Sequence, residues 1–326
     1  MQKRNRDIAY RCGLLLLLGL APMLCRAQSD QHYTMFMYNK LLYNPAYTGS
    51  RDVLSVNGLY RKQWTDMPGA PQTVNLSVDA PLGSYMKTFR KLAAGISITN
   101  EKQGVERNSS LRGYYAYRLQ LKHSVLSLGL SAGANLYSAN YTLLNPYQQN
   151  DPNLNGDVKN AILPNFGVGA YWSGDKFYCG LSAPNLLENR YDKNAPQTNV
   201  KNAKQIRSYY LSGGYVFTVN EIIKLEPQVL ARYAVNPDYR LPFNCDINIT
   251  AIAYDRLMLG VTYRTDKSME MIAHMQATKR INLGYAFDYM LSALNGYSGA
   301  THELVLGYDL VRETTKFHTP RFIKSF

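Results

Sequence analysis

The chain has 326 residues, and only 18% of them are charged, below the roughly 25% of an ordinary soluble domain. Its 27 tyrosines and 46% apolar content, without several runs of about 20 apolar residues, exclude a polytopic helical membrane protein. They leave a soluble all-β protein or a transmembrane β-barrel with aromatic girdles.

The chain opens on a secretory signal. Lys3, Arg4, Arg6 and Arg11 form a basic region, Gly13–Ala21 an apolar stretch too short to span a bilayer, and Cys25-Arg26-Ala27 a cleavage site before Gln28. Leu24 stands where lipoprotein processing at Cys25 wants a small residue. Cleavage between Ala27 and Gln28 removes five basic residues and Asp7, leaving 299 residues and lowering the net charge from +13 to +9. Export excludes nucleic acid as a partner. The basic excess is scattered, as charge on solvated turns is. Cys179 and Cys245 are too few for a disulfide framework and read as small apolar strand residues.

Residues 28–52 form an N-terminal segment. It holds Tyr33, Met35, Phe36, Met37, Tyr38, Tyr43 and Tyr47, with Asn44-Pro45 and Gly49 as turn signals. It is expected as a lumenal plug or at the periplasmic rim of a barrel spanning 53–311. A tail, 312–326, follows without clear pattern.

From residue 53 onward, stretches of alternating polarity are separated by turns. In Gln72–Ala80, Val74, Leu76, Val78 and Ala80 oppose Thr73, Asn75, Ser77 and Asp79. Fourteen such segments are predicted: Val53–Arg61, Gln72–Ala80, Lys91–Asn100, Ser109–Leu119, His123–Asn135, Pro164–Trp172, Phe177–Ala183, Arg207–Val219, Ile222–Tyr233, Phe243–Tyr254, Leu257–Arg264, Met269–Ala277, Arg280–Tyr289 and His302–Val311. Twelve or sixteen strands are the neighbouring counts.

The second face decides the class. It is mostly Gly, Ser, Asn and Thr, with scattered Arg112, Arg118, Glu226, Arg232, Arg264 and Glu270. Small polar residues suit a closed lumen while the apolar face meets lipid. Closure also pairs every backbone group, as lipid requires. The fold expected is therefore an all-β, transmembrane antiparallel β-barrel of about 14 strands.

Connection lengths agree. Even-numbered connections such as Gln120–Lys122, Ser173–Lys176, Asn220–Glu221, Asp255–Arg256 and Thr278–Lys279 are short. The third, fifth, seventh, ninth and thirteenth are longer, with Tyr137–Leu163 and Pro184–Ile206 the largest. Pro81–Arg90 (long) and Thr265–Ser268 (short) break the rule. Aromatics near segment ends read as girdles: Tyr60, Trp64, Tyr115, Tyr117, Tyr137, Tyr171, Trp172, Phe177, Tyr209, Tyr233, Phe243, Tyr254, Tyr263, Phe287 and Tyr308.

A catalytic motif is not found: GxSxG, HExxH, CxxC and the P-loop are all missing. The five histidines lack ligand spacing, so neither a metal nor another cofactor is expected. His274 and Glu270 lie four apart on one strand face and read as a satisfied polar pair. Asp151, Asn153, Asn155 and Asp157 look like a calcium loop but lack the distal Glu, and Pro152 disturbs them; a surface turn is the plainer reading.

Several strings carry a family likeness: LLYNPAYTGS (Leu41–Ser50), LYRKQWTDMPGAPQT (Leu59–Thr73), VDAPLG (Val78–Gly83), GLSAPNLLENRYD (Gly180–Asp192), LGVTYRTDKSMEMI (Leu259–Ile272) and LGYAFDYMLSALNGYSGATHELVLGY (Leu283–Tyr308). The mature chain resembles the PorP/SprF family of type IX secretion system membrane proteins. The resemblance implies a non-enzymatic outer-membrane barrel, with both termini in the periplasm. It further implies work with the secretion and gliding machinery: partners would be periplasmic ring components and secreted cargo or a large surface adhesin, within outer-membrane lipid. The matching positions read structurally. Asn44, Pro45 and Gly49 make a turn before the first strand, and Asp79 and Pro81 end the second. Gly284, Tyr285, Asp288 and Tyr289 lie on the thirteenth; Asn295, Gly296, His302 and Glu303 shape the last outer loop. The competing readings are a porin or transporter for small or hydrophobic solutes, which needs a charged lumen constriction, and an outer-membrane hydrolase, which needs a Ser/His pair on one face.

Overall fold

The computed structural model describes residues 32–84, 86–144, 157–191, 204–235, 243–291 and 298–310. The signal segment with its Ala27–Gln28 junction, the run 151–156, Asn295, Gly296 and the tail lie outside the described residues.

Fourteen strands follow in chain order. They are β1 (Leu54–Lys62), β2 (Gln72–Pro81), β3 (Leu92–Gln103), β4 (Glu106–Gln120), β5 (Ser124–Ala139), β6 (Val158–Gly174) and β7 (Phe177–Asn185). Then come β8 (Arg207–Tyr215, resuming as Phe217–Thr218), β9 (Ile223–Val235), β10 (Asn244–Ala253), β11 (Leu257–Arg264), β12 (Ser268–Gln276), β13 (Ile281–Met290) and β14 (Thr301–Leu310). Each strand pairs antiparallel with the next, and β1 pairs with β14 from Leu54↔Leu310 to Lys62↔His302. The sheet is thus a closed meander with no free long edge, which is the arrangement lipid demands. No helix among the described residues is long and apolar enough to cross a membrane.

Alternation places the faces as the sequence suggests. On β2, Thr73, Asn75, Ser77 and Asp79 are buried while Val74 and Leu76 are about half exposed on the outside. An outward row of Ile, Leu, Val and Tyr runs around the barrel, with Ile98, Leu128, Leu211, Ile249 and Leu304 in it. Strands of 8 to 10 residues at β10–β14 match the 9–11 needed to cross a bilayer at a tilt.

Three expectations are corrected. The third connection is a tight turn at Gly104-Val105, because β3 and β4 run on to Gln103 and Glu106; above the membrane both faces are polar, so alternation stops signalling the strand there. Strands β4, β5 and β6 reach 15, 16 and 17 residues, a wall rising beyond its neighbours on the side away from the chain termini. Tyr137 and Tyr171 are not girdle residues: both point inward and are 5% exposed. Of the other girdle residues, Tyr60, Trp172, Tyr233, Phe243 and Tyr263 are exposed on the outer face.

Candidate functional site

The lumen is occupied. Residues 33–49 fold inside the barrel as a short helix, α1 (Lys40–Tyr43), and a 3-10 turn, Pro45–Tyr47, flanked by hydrogen-bonded turns. Their burial was legible as a lumenal or rim segment; the contacts place them in the lumen.

From the terminus-side rim, Gly49 takes φ +70°, a left-handed conformation that favours glycine, and donates its N–H to Asp79 at 2.7 Å. Asn44 caps the 3-10 turn by accepting from Ala46 N–H at 2.9 Å, while its amide donates to the Ala170 carbonyl at 2.9 Å. Gly129 and Gly169 of the wall lack side chains where Pro45, Ala46 and Asn44 press against it. Ser182 on β7 donates to the Tyr43 carbonyl at 2.8 Å. The Lys40 ammonium lies 3.4 Å from the Tyr178 ring centroid, a cation–π contact away from water. Glu226, buried on β9, adds its negative field.

Further in, Tyr38 stacks on His274 with centroids 4.1 Å apart and donates to the Met258 sulfur at 3.3 Å. Thr34 and Met35 each donate a backbone N–H to Glu303, at 2.9 Å. Glu303 also meets Arg61 at 3.0 Å, and Arg61 lies 3.6 Å from Asp288. Arg264 completes the cluster: it bonds Asp246 at 2.9 Å, pairs with Glu270, and lies 3.7 Å from Asp288. With Asp266 3.9 Å from Arg264, two arginines serve five carboxylates, and the segment's two N–H groups supply part of the missing positive potential. Buried charges persist in such a setting only when paired and hydrogen-bonded. At the other end of the segment, Arg51 bonds Asp309 at 2.6 Å and Asn57 at 3.2 Å.

Several candidate residues are thereby brought together. Asn44, Pro45, Gly49 and Asp79 form one buried junction, and Pro81 ends β2 beside it. Asp288 and Glu303 share Arg61. Gly284 lies against His274 and the Met35 sulfur, its missing Cβ leaving room for both. Tyr285 and Tyr289 face outward, away from this cluster. His302 and Glu303 do not shape a loop. They sit on β14, in register with Lys62 and Arg61, with Tyr285 hydroxyl against His302 at 2.7 Å. Glu270 and His274 are not a pair: one goes to Arg264 and the other to Tyr38 and Met258. Arg264 and Glu270 converge with Arg61, Asp246, Asp288 and Glu303, which single-strand reading could not show because the six come from six strands.

The described ends of the seventh connection also turn inward. Asn165 accepts from Leu186 and Leu187 N–H at 2.9 and 3.0 Å, and Arg112 donates to the Pro184 carbonyl at 2.9 Å. Tyr191 packs on Tyr137 with centroids 4.5 Å apart. Among the described residues no group of three His, Cys, Asp or Glu could hold a metal, and of the calcium-loop residues only Asp157 is among them.

The barrel, with its apolar outer band, is an outer-membrane architecture. Solved structures similar to it include the outer-membrane protein Omp33 of Acinetobacter baumannii, with 10% identity over 81% of this chain and 100% of that one and a TM-score of 0.41. Another is a deletion mutant of the TodX monoaromatic hydrocarbon channel, with 10% identity over 86% and 94% and a TM-score of 0.45. A third is outer membrane phospholipase A of Escherichia coli, with 11% identity over 80% and 92% and a TM-score of 0.35. These likenesses carry no functional weight. No curated protein matches the sequence. The profile of the family described as type IX secretion system membrane protein PorP/SprF matches residues 25–308. That span takes in the lumenal segment and nearly all of the barrel, and the chain belongs to the PorP/SprF family of type IX secretion system membrane proteins.

Proposed function

We propose that this protein is a non-enzymatic docking barrel of the type IX secretion and gliding machinery, supporting export or surface anchoring of cargo such as a large adhesin. Both termini and the short turns face the periplasm, where ring components of the machine bind. The tall β4–β6 wall faces outward, toward cargo. One observation carries the reading beyond family membership: the lumen holds the protein's own residues 33–49, tied to the wall by Glu303, Asp309 and Asp79. A filled lumen suits a platform and opposes a conduit for solutes.

The test compares surface cargo between deletion and parent strains, together with a pull-down of the tagged barrel scored for ring components or an adhesin. Loss of surface cargo with unchanged small-solute uptake is expected. Intact secretion, no such partner and strong ion conductance by the purified barrel would transfer the assignment to a porin.

A further inference from the structure

The second connection, long where a short turn was expected, is a folded foot at the terminus-side rim. Met86 N–H bonds the Leu82 carbonyl at 2.8 Å, and Phe89 N–H bonds that of Met86 at 2.9 Å. Gly83 sits so close to Arg90 that an added Cβ would lie 2.6 Å from the Arg90 Cα. The Lys91 carbonyl is fixed by Arg118 N–H at 2.6 Å.

The foot displays side chains of two kinds. Met86 and Phe89 are 58% and 40% exposed, and Leu121 in the adjoining β4–β5 turn is 53% exposed. Beside them Arg90, Lys91 and Lys122 are exposed cations. Residues 80–100 contain no Asp or Glu, nor do residues 107–150. Asp52, which reaches this end of β4, is taken by Arg118 at 2.7 Å. The foot differs from a bare basic turn in joining its cations to exposed apolar side chains. Three other turns on the same rim balance or reverse their charge, with Asp175 beside Lys176, Asp255 beside Arg256, and Glu221 alone, whereas the β12–β13 turn carries Lys279 and Arg280.

The direction of Lys91 identifies the partner. Its ammonium lies 6.0 Å from the ring centroid of Tyr117, a girdle tyrosine on the lipid-facing side of β4. Cations beside a girdle aromatic and exposed apolar side chains occupy the headgroup level of a bilayer. A protein partner bound below the rim would instead be met by cations pointing along the barrel axis.

We propose that Arg90, Lys91 and Lys122, with Met86, Phe89 and Leu121, bind the phosphate-bearing headgroup of an anionic phospholipid in the leaflet on the terminus side. The apolar side chains enter the acyl boundary and the cations neutralise the phosphate. This site goes beyond the secretion reading and does not depend on it.

The test is native mass spectrometry of the purified full-length barrel titrated with phosphatidylglycerol or phosphatidylcholine. Each interfacial cation contributes about 1 kcal/mol toward an anionic surface, a factor of about five. The wild type should prefer phosphatidylglycerol, and R90Q/K91Q should weaken that lipid about 25-fold while leaving phosphatidylcholine unchanged. K176Q/R256Q, on two charge-balanced turns of the same rim, should change neither. All are surface substitutions, and heat-modifiable gel migration reports that each variant is folded. Equal retention of both lipids, or equal loss in the two double variants, overturns the site. So does an unchanged lipid preference in R90Q/K91Q accompanied by loss of a bound acidic protein, which would make the foot a protein contact.

Discussion

Glu303 should be the latch of the lumenal segment, and replacing it by Ala should free that segment while the barrel stays closed. The carboxylate is fully buried and accepts from Thr34 N–H, Met35 N–H and Arg61 at 2.9, 2.9 and 3.0 Å. Hydrogen bonds to a charged group are worth about 1.5–3 kcal/mol each. Removing one partner of a buried ion pair costs about 3–5 kcal/mol. The two estimates describe overlapping contacts, so the smaller sets the expectation: about 3–5 kcal/mol, or roughly two to three and a half orders of magnitude in local opening. The barrel survives because Arg61 keeps Asp288 at 3.6 Å and the backbone ladder is untouched. Hydrogen exchange of the Thr34 and Met35 amides in the detergent-purified protein is the assay. E303A should accelerate both by that factor, and E303Q, which keeps shape and one acceptor, by less. Equal exchange in E303A and wild type, with strand amides also equal, would refute the latch.

Gly129→Ala should cost about 1–3 kcal/mol by overpacking, since its Cβ would run into the backbone of Pro45 and Ala46; Gly113→Ala, with its nearest neighbour at 3.8 Å, should be tolerated, and urea-dependent heat-modifiable migration separates the two. Leu128→Arg, at an outward position 50% exposed to the membrane, should cost about 2–4 kcal/mol near the midplane, read by equilibrium refolding into bilayers. Arg at Ser127 should not be the benign lumenal control that an open barrel would offer, because Ser127 is 1% exposed in a filled lumen. Cys179 is a free thiol on the outer face of β7, so a membrane-permeant maleimide should label it in proteoliposomes and a charged, impermeant one should not.

The strands and their faces were legible because the lipid selects one of two alternate rows, and that choice is written in period two. The same rule could have placed two residues that the girdle reading misassigned. Tyr171 shares its row with Gly169 and Ser173, and Tyr137 with Gly133 and Asn135, which are the lumenal rows. Proximity to a strand end was the weaker signal. The β3–β4 hairpin was illegible for a physical reason: once strands rise past the bilayer, neither face needs to be apolar. The latch was illegible for another. Glu303 looked like a loop residue because its partners, Arg61, Thr34 and Met35, are more than 240 positions away in sequence, and no local pattern reports a contact at that range.

The lumenal segment touches one place in the wall more than once. Glu303 and Asp309, which hold Thr34, Met35 and Arg51, belong to β14; Arg61 and Asn57, which hold Thr34 and Arg51, belong to β1. These are the first and last strands, and their nine paired residues form the seam that makes the sheet a cylinder. The segment is therefore a stitch across the seam as well as a stopper. The two strands also bond each other directly, Ser55 to Asp309 at 2.9 Å and Arg61 to Glu303 at 3.0 Å, and the segment takes up the remaining acceptors of the same carboxylates. The segment thus adds side-chain ties to a seam that the backbone ladder already closes. Opening this seam would break the segment's ties to both strands as well as the ladder.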